Sequence, residues 1–271
     1  MKSKWRFLMY FIIVAVCSIS LFPLFSMIIM STKTTEEIFT GLSFIPGKQF
    51  IKNIQTVVAP NFLVAYKNSL LVSTASALLS MLFSAMAGYS LSVYRFKARN
   101  AIYAFVLITM MVPSSISMIG YMNEMRVLGL TKTLMPLILV WLANGFGVFW
   151  MCQYITGSMP MEIIESARID GSNEMLTFFF IVLPCIKPAL GTLLLLIFLW
   201  SWNNYLLPLV LINNQANYTI PLYIQTLGNE YVNDYAAQIT GLLLSILPLL
   251  IAFIIGSKTF IKGLTAGAVK G

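Results

Sequence analysis

The chain has 271 residues, of which 17 are basic, 9 are acidic and 59% are hydrophobic. Soluble domains contain about 45–50% apolar and about 25% charged residues, so a water-soluble fold is excluded, since too little polar material exists to cover its surface. Disordered chains are rich in charge, and three cysteines are too few for a disulfide scaffold. We therefore expect an all-α polytopic membrane protein.

Six uncharged apolar stretches are long enough to cross a bilayer, which takes roughly 20 helical residues. They lack the alternating pattern of barrel strands, so we predict six transmembrane helices in a single domain, residues 1–271. The predicted spans are Phe7–Met30, Asn68–Tyr94, Ala101–Asn123, Leu134–Thr156, Ala189–Ile212 and Ile239–Ser257. The first span is longer than the apolar core of a signal peptide, about 7–15 residues, and is predicted to be retained.

The basic residues predict the orientation of these spans. Eleven lie on the side of the two termini and six on the other side, and cytoplasmic loops carry the excess of Lys and Arg. Both termini are therefore predicted to be cytoplasmic, with the loops Ser31–Lys67 and Asn213–Gln238 outside. The net charge of +8 is mostly an orientation signal, and no nucleic-acid partner is expected.

The cytoplasmic loop of residues 157–188 has the pattern of two short helices. Ser158 is the predicted N-cap and Pro160 suits a first helical turn, so the first helix is predicted over Met161–Ile169. Asp170-Gly171 is predicted to end it, because glycine permits the positive φ that terminates many helices.

The second helix of the loop is predicted to start at Ser172–Asn173, with Glu174 in its first turn, where the helix dipole favours an anion. Its apolar face consists of Leu176, Phe179, Phe180 and Leu183. Two short helices at an angle, the first with exposed carboxylates, form a shape that suits a soluble partner.

The residues of this loop resemble the EAA loop of permease subunits of ATP-binding-cassette (ABC) importers. The run Glu165-Ser166-Ala167-Arg168-Ile169-Asp170-Gly171 is followed by Phe178, Leu183-Pro184 and Pro188 at the spacing of that motif. Ser166 and Ser172 replace the small residue that is usual at their positions. The agreement at fixed spacing makes the resemblance specific.

Other segments resemble the carbohydrate branch of this family, the MalG-type subunits of maltose-like importers. The C-terminal segment Gly263–Gly271 is similar to the terminal signature of that branch. Further matches are Trp202-Asn203, Pro208-Leu209, Leu128-Gly129-Leu130, Thr133 and Asp234-Tyr235. Cys152 is a departure, since a basic residue is expected there.

The resemblance implies a type I ABC importer permease fold with cytoplasmic EAA coupling helices, in the plasma (inner) membrane of a bacterium. It implies that the chain is the permease subunit of an ATP-driven importer for a sugar or oligosaccharide. The implied partners are a second, MalF-like permease, two copies of a cytoplasmic ABC ATPase, an extracellular or periplasmic sugar-binding protein and the lipid bilayer.

The chain is expected to be a transport subunit and not an enzyme. It contains no G-x-x-x-x-G-K-[ST] sequence for phosphate binding, so no cofactor is expected on this chain, and ATP and Mg²⁺ are expected to be used by the partner ATPase. Because there is no histidine and no paired intramembrane carboxylate, no catalytic residue and no metal site are expected.

The resemblance assigns two segments to contact with the ATPase. The predicted coupling residues of the loop are Glu165, Ser166, Ala167, Asp170, Gly171, Phe178, Leu183 and Pro184. In the C-terminal tail, the predicted contact residues are Thr265, Ala266, Gly267 and Lys270. Glu165 is expected to contact a basic group, and Gly171 to set the angle between the two helices.

A possible translocation path is predicted from polar and aromatic residues at membrane depth. Amide hydrogen bonds and aromatic faces suit an uncharged sugar, and Pro113 is expected to break the third span where a substrate would pass. The candidates are Ser114, Ser115, Trp141, Asn144, Asn203 and Asn204. The alternative interpretation is that Asn and Ser bridge helices and that Trp anchors at the interface.

Two alternative functions stay open. The chain could belong to an importer of a polyol or glycerol phosphate, or it could be a secondary transporter. Ion-coupled carriers usually need a charged residue within the membrane, and the six predicted spans contain none.

Overall fold

The computed structural model describes residues 2–41, 44–228 and 233–266, and their regular secondary structure is helical apart from one isolated antiparallel bridge between Gly228 and Asn233. In chain order the helices are α1 Lys2–Met30, α2 Thr35–Phe39, α3 Phe50–Val57, α4 Pro60–Val93, α5 Arg99–Met111, α6 Ser114–Val127, α7 Met135–Leu139, α8 Gly145–Ser158, α9 Met161–Ile169, α10 Glu174–Thr177, α11 Leu183–Cys185, α12 Lys187–Trp202, α13 Leu206–Leu211, α14 Ile220–Gln225 and α15 Tyr235–Ala266. A π-helical segment, Phe178–Val182, joins α10 to α11. The predicted all-α class is confirmed.

Three helices are individually long and apolar enough to cross a membrane. They are Trp5–Met30 within α1, Pro60–Val93 and Tyr235–Phe260 within α15. These helices correspond to the first, second and sixth predicted spans, and each begins before the predicted range.

The third, fourth and fifth predicted spans are not single helices. The break in the third was predicted at Pro113, and the breaks in the fourth and fifth correct the sequence prediction. Ala101–Asn123 is divided between α5 and α6, which are bent by 104°. A turn separates α7 from α8 within Leu134–Thr156, and a break at Asn203 separates α12 from α13 within Ala189–Ile212. Hydropathy counts apolar residues and does not detect such breaks.

The count of six spans stays a prediction. The bent pair α5 and α6 is long and apolar enough to cross a membrane when it is taken as one span. So is the pair Glu174–Cys185 and Lys187–Trp202, which is bent by 81°. The described residues therefore contain three candidate spans, or up to five when each bent pair is counted as one.

The break between α5 and α6 follows from Pro113. Val112, which precedes the proline, is extended at φ −77° and ψ 122°, because the proline ring disfavours the helical conformation at the residue before it. Pro113 also lacks the N–H that would continue the helix. The predicted break at this proline is confirmed.

The described residues form two compact units, and the single-domain prediction stays a prediction. The first unit comprises Met1–Leu63 and Leu222–Leu247. Within it, the buried Asn53 side chain donates hydrogen bonds to the carbonyls of Ser31 and Lys33, at 2.8 and 2.9 Å. The segment that follows α1 is therefore held by specific hydrogen bonds.

The second unit comprises Val64–Pro221 and Pro248–Gly271, and α4 and α8 approach closely within it. A Cβ on Gly147 of α8 would lie 2.3 Å from the Ser84 Oγ of α4. Small residues allow such approach in lipid, where hydrophobicity does not drive helices together. Ser84 of the second predicted span therefore serves close packing of α4 against α8.

Candidate functional site

The first helix of the 157–188 loop is α9, which has the predicted bounds Met161–Ile169. Its N-cap is Pro160, whereas Ser158 is the last residue of α8, so the prediction of Ser158 as N-cap was wrong. Ile164 and Ala167 are buried and hold the helix against the rest of the second unit, while Glu165 and Ser166 are exposed. The helix thus presents a carboxylate on its free side.

A tight turn ends α9 at Asp170-Gly171, as predicted. Gly171 has φ 81°, its N–H donates to the Arg168 carbonyl, and the N–H of Ser172 donates to the Ala167 carbonyl. This pair of bonds is the Schellman arrangement, which satisfies the last carbonyls of a helix and requires a left-handed residue. Asp170 and Gly171 are both exposed.

The second helical segment begins at Glu174, after the N-cap Asn173, whose Oδ1 accepts from the Leu176 N–H. Its buried residues are Thr177, Phe178 and Val182. Of the predicted apolar face, Leu176, Phe179 and Phe180 are exposed and Leu183 is half-buried. The π-helical segment changes the angular spacing of side chains, so a face read at 3.6 residues per turn is displaced.

These positions divide the predicted coupling residues into two groups. Ala167 and Phe178 are buried, and Leu183 is half-buried. The exposed group consists of Glu165, Ser166, Asp170, Gly171 and Pro184. A soluble partner could therefore contact the exposed group, whereas the other residues position the loop from within the unit.

Four residues, Tyr89, Tyr94, Arg168 and Glu174, form a cluster that sequence reasoning missed. The Glu174 carboxylate accepts hydrogen bonds from the hydroxyls of Tyr89 and Tyr94 and from Arg168 Nε, which lies 2.9 Å from Glu174 Oε1. The hydrogen bond from Tyr94, together with the Arg168 guanidinium, holds the pKa of the Glu174 carboxyl below its ordinary value. The Glu174 carboxylate therefore lies at a helix N-terminus and also accepts hydrogen bonds from other parts of the second unit.

All six candidate path residues line one cavity of about 740 Å³ within the second unit. The cavity lies where three helix interruptions meet. Ser114 and Ser115 follow the break between α5 and α6, Trp141 and Asn144 lie in the turn before α8, and Asn203 and Asn204 separate α12 from α13. Residues far apart in the chain are thereby brought to one wall.

The three asparagines of the cavity are held at helix ends by local backbone bonds. Asn144 Oδ1 accepts from the Gly147 N–H, Asn204 Oδ1 accepts from the Leu207 N–H, and Asn203 Nδ2 donates to the Leu199 carbonyl. Within the described chain, the other end of each amide has no hydrogen-bond partner. Within the described chain each of these bonds is made to the residue's own helix terminus, and both interpretations of the path residues stay predictions.

The predicted tail contacts lie mostly outside what the structure describes. Thr265 and Ala266 belong to the backbone of α15, whereas Gly267 and Lys270 fall outside the described residues. The role assigned to the tail stays a prediction.

Comparison with known proteins identifies the family. The family described as "Binding-protein-dependent transport system inner membrane component" matches residues 80–259, which is more than half of the chain. The chain belongs to this family. It is accordingly a multi-pass membrane protein and a transport permease.

Relatives and a solved structure agree with this assignment. The arabinooligosaccharides transport system permease protein AraQ of Bacillus subtilis (strain 168) is 37% identical over 256 residues, which cover 93% of this chain and 91% of AraQ. The lactose transport system permease protein LacG of Rhizobium radiobacter is 31% identical, covering 93% and 92%. The crystal structure of a bacterial ABC transporter involved in alginate import contains a chain with a TM-score of 0.79 at 24% identity, covering 95% of this chain and 97% of that chain. That likeness shows the fold.

The permease has further cavity residues that sequence reasoning missed. Thr109, Tyr121 and Tyr205 also line the cavity, and the Tyr121 hydroxyl donates to the Pro136 carbonyl. Their signal was present in the sequence, since each lies within twelve residues of a predicted path residue. Tyr89 and Tyr94 carried a weaker signal, because their partner Glu174 is 85 and 80 residues away.

Proposed function

We propose that this permease is one of two membrane subunits that form the translocation path of an ABC importer for a sugar or oligosaccharide. The observation that carries the proposal is the cavity at the three helix interruptions, where Asn144, Asn203 and Asn204 each keep one end of the amide available. Binding near the midplane between broken helices is a common arrangement in transporters. The names of the relatives, which move arabinooligosaccharides and lactose, support a sugar as substrate.

The chemistry of the cavity wall favours an uncharged substrate. All the side chains that line it are neutral, and they include hydroxyls, amides and the aromatic rings of Trp141, Phe146 and Tyr205. Sugars present hydroxyl groups to hydrogen-bonding partners and C–H faces to aromatic rings. No cationic side chain among the described residues lines this wall to pair with a glycerol phosphate, so a neutral sugar or polyol fits better.

In the proposed complex, the 157–188 loop docks on a cytoplasmic ATPase. The exposed carboxylates are those of Glu165 in α9 and Asp170 at the turn with Gly171, and they suit a cleft with basic groups. Two copies of the ATPase bind and hydrolyse ATP with Mg²⁺, and this chain binds neither. Closure of the ATPases moves α9, and that motion rocks the membrane helices.

Two further proteins and a membrane location complete the proposed complex. A MalF-like permease completes the path, and an external sugar-binding protein delivers the substrate. The complex lies in the plasma membrane of a bacterium, with both termini of this chain in the cytoplasm. The family description, an inner membrane component of binding-protein-dependent transport, supports the membrane location and the binding-protein partner.

Uptake by cells that express the complex with its partner subunits tests the function. We expect uptake of radiolabelled arabinotriose or lactose, and none of glycerol 3-phosphate. Asn144→Ala and Asn204→Ala should each lower uptake about tenfold, since each removes a hydrogen bond to substrate and loosens a helix end.

The control is Asn123→Ala, because Asn123 is an exposed asparagine of α6 outside the cavity wall. It should leave uptake unchanged. Uptake of glycerol 3-phosphate alone would overturn the sugar assignment. Full uptake by both cavity variants would show that the cavity is not the path.

A further inference from the structure

The Glu174 carboxylate joins three parts of the second unit at one point. It lies in the first turn of α10, and it accepts hydrogen bonds from Tyr89 of α4, from Tyr94 just after α4, and from Arg168 of α9. Tyr89 Oη lies 2.9 Å from Glu174 Oε2, and Arg168 Nε lies 2.9 Å from Glu174 Oε1. One side chain therefore connects both loop helices to a long membrane helix.

Aromatic contacts fix the donors of this cluster. The rings of Tyr89 and Tyr94 meet edge to face with centroids 5.6 Å apart, and the Tyr89 ring lies 5.6 Å from that of Phe178. The Arg168 guanidinium carbon stands 5.6 Å from the centre of the Tyr94 ring, within the range of a cation–π contact. Tyr94 thus binds both members of the ion pair, one through its hydroxyl and the other through its ring.

The ion pair alone would contribute little. The side chains of Arg168 and Glu174 are 38% and 44% exposed, and pairs this exposed have little net effect on stability. Two phenol hydroxyls bonded to the carboxylate and a ring under the guanidinium change this balance. Such networks hold a geometry more firmly than their separate pairs do, because each bond polarises the next.

The turn at Gly171 lacks comparable support. Gly171 is exposed, and no atom lies within 4 Å of the position that its Cβ would occupy. A glycine turn without packing neighbours is a place where the angle between two helices can change. Besides the buried side chains of Ile164 and Ala167, the cluster is therefore the polar connection that carries a force on α9 past this turn to α4.

We propose that Tyr89, Tyr94, Arg168 and Glu174 form a latch that fixes α9 to α4, so that displacement of α9 moves the membrane helix. This proposal rests on the proposed function, in which α9 docks on an ATPase. Tyr89, Tyr94, Arg168 and Glu174 are positioning residues, since they hold the docking helix without being the exposed group that meets the partner.

Hydrogen exchange of the purified complex in lipid nanodiscs tests the latch without reference to transport. We expect the backbone amides of Met161–Ile169 to exchange about tenfold faster in Glu174→Gln and in Tyr94→Phe, because each weakens a hydrogen bond of a charged group. The amides of α4 should be unchanged. The matched control is Glu162→Gln, which neutralises an exposed carboxylate of α9 outside the cluster.

The ratio of sugar transported to ATP hydrolysed tests the consequence of the latch. Glu174→Gln and Tyr94→Phe should lower this ratio severalfold while ATP hydrolysis continues, whereas a merely structural defect would lower both. The effects of the two changes should be less than additive in the double variant, since both weaken the same bond. Arg168→Lys should keep only part of the normal ratio of sugar transported to ATP hydrolysed, because Lys keeps the charge but not the planar guanidinium.

Three results would overturn the latch. The first is an unchanged rate of hydrogen exchange in α9, and the second is an unchanged ratio of sugar transported to ATP hydrolysed in both single variants. The third is fully additive effects on that ratio in the double variant. Uptake by the unaltered complex that does not depend on ATP would overturn the proposed function. The exchange of α9 would then still decide whether the latch holds the two helices together.

Discussion

Gly171 shows how one residue can be required for its backbone and not for its size. Its φ of 81° is left-handed, and a Cβ there would meet no atom within 4 Å. The left-handed conformation costs an L-residue roughly 1–2 kcal/mol, and it is least costly for Asn and most costly for β-branched residues. The Schellman turn therefore depends on the choice of residue even though there is space for a side chain.

A pair of variants tests this dependence. We expect Gly171→Val to lower ATP-dependent uptake severalfold more than Gly171→Asn, because Val strains the turn that sets the angle of α9. Uptake into proteoliposomes at equal amounts of assembled complex measures the difference. Equal uptake by the two variants would show that the left-handed turn is not required for coupling.

Some features of single residues could be predicted from the local sequence, and others could not. The turn at Gly171 was predicted because glycine after a helical run has a local signature. The partners of Glu174 could not be predicted, because Tyr89 and Tyr94 come from a different helix and only the fold brings them near.

At the scale of elements, the close approach of α4 and α8 makes a sharp prediction. Gly147→Ala would place a methyl group 2.3 Å from Ser84 Oγ and 3.0 Å from Ser84 Cβ. Overpacking of this kind costs about 1–3 kcal/mol. We expect a lower midpoint of thermal unfolding for the purified complex, measured by intrinsic fluorescence.

Two further variants make this test specific. Ser84→Gly in the Gly147→Ala background should restore most of the midpoint, since it removes both clashing atoms. Gly120→Ala serves as the control, because a Cβ at that position of α6 would meet nothing within 4 Å. Failure of Ser84→Gly to restore the midpoint would contradict the proposed contact between the helices.

Elements also show where sequence patterns fail. The break between α5 and α6 was predicted because a proline causes it, whereas the turn before α8 at Trp141–Asn144 contains no proline. Averages over apolar residues therefore merged α7 with α8 and α12 with α13. The face of the second loop helix was misread for a related reason, since the π-helical segment Phe178–Val182 departs from the ordinary period.

At the scale of the whole molecule, the distribution of charge predicts an orientation that can be measured. In a chain with all three cysteines replaced by alanine, Lys97→Cys should react with a membrane-impermeant maleimide only after the cells are permeabilised. Lys52→Cys should react in intact cells, since it lies in the predicted external loop. Both side chains are exposed, so access to the reagent depends on the side of the membrane.

The opposite labelling pattern would reverse the topology and place the 157–188 loop outside. Labelling of both positions in intact cells would contradict the prediction that the two loops lie on opposite sides. A cysteine-free parent chain measures background labelling, because Cys17 and Cys185 are exposed in the native chain.

Each asparagine of the cavity is hydrogen-bonded within the chain at one end of its amide, and this has a consequence for the speed of transport. In the proposed path, backbone bonds already hold Asn144, Asn203 and Asn204 in place, so a sugar would meet amides that lose little freedom when they bind it. Each new hydrogen bond replaces one with water, and its net gain is only about 0.5–1.5 kcal/mol. Because the net gain per bond is small, a few such bonds retain a sugar only weakly, and a pathway must release what it binds. We therefore expect the cavity to favour rapid passage over retention, which leaves discrimination among sugars to an earlier step.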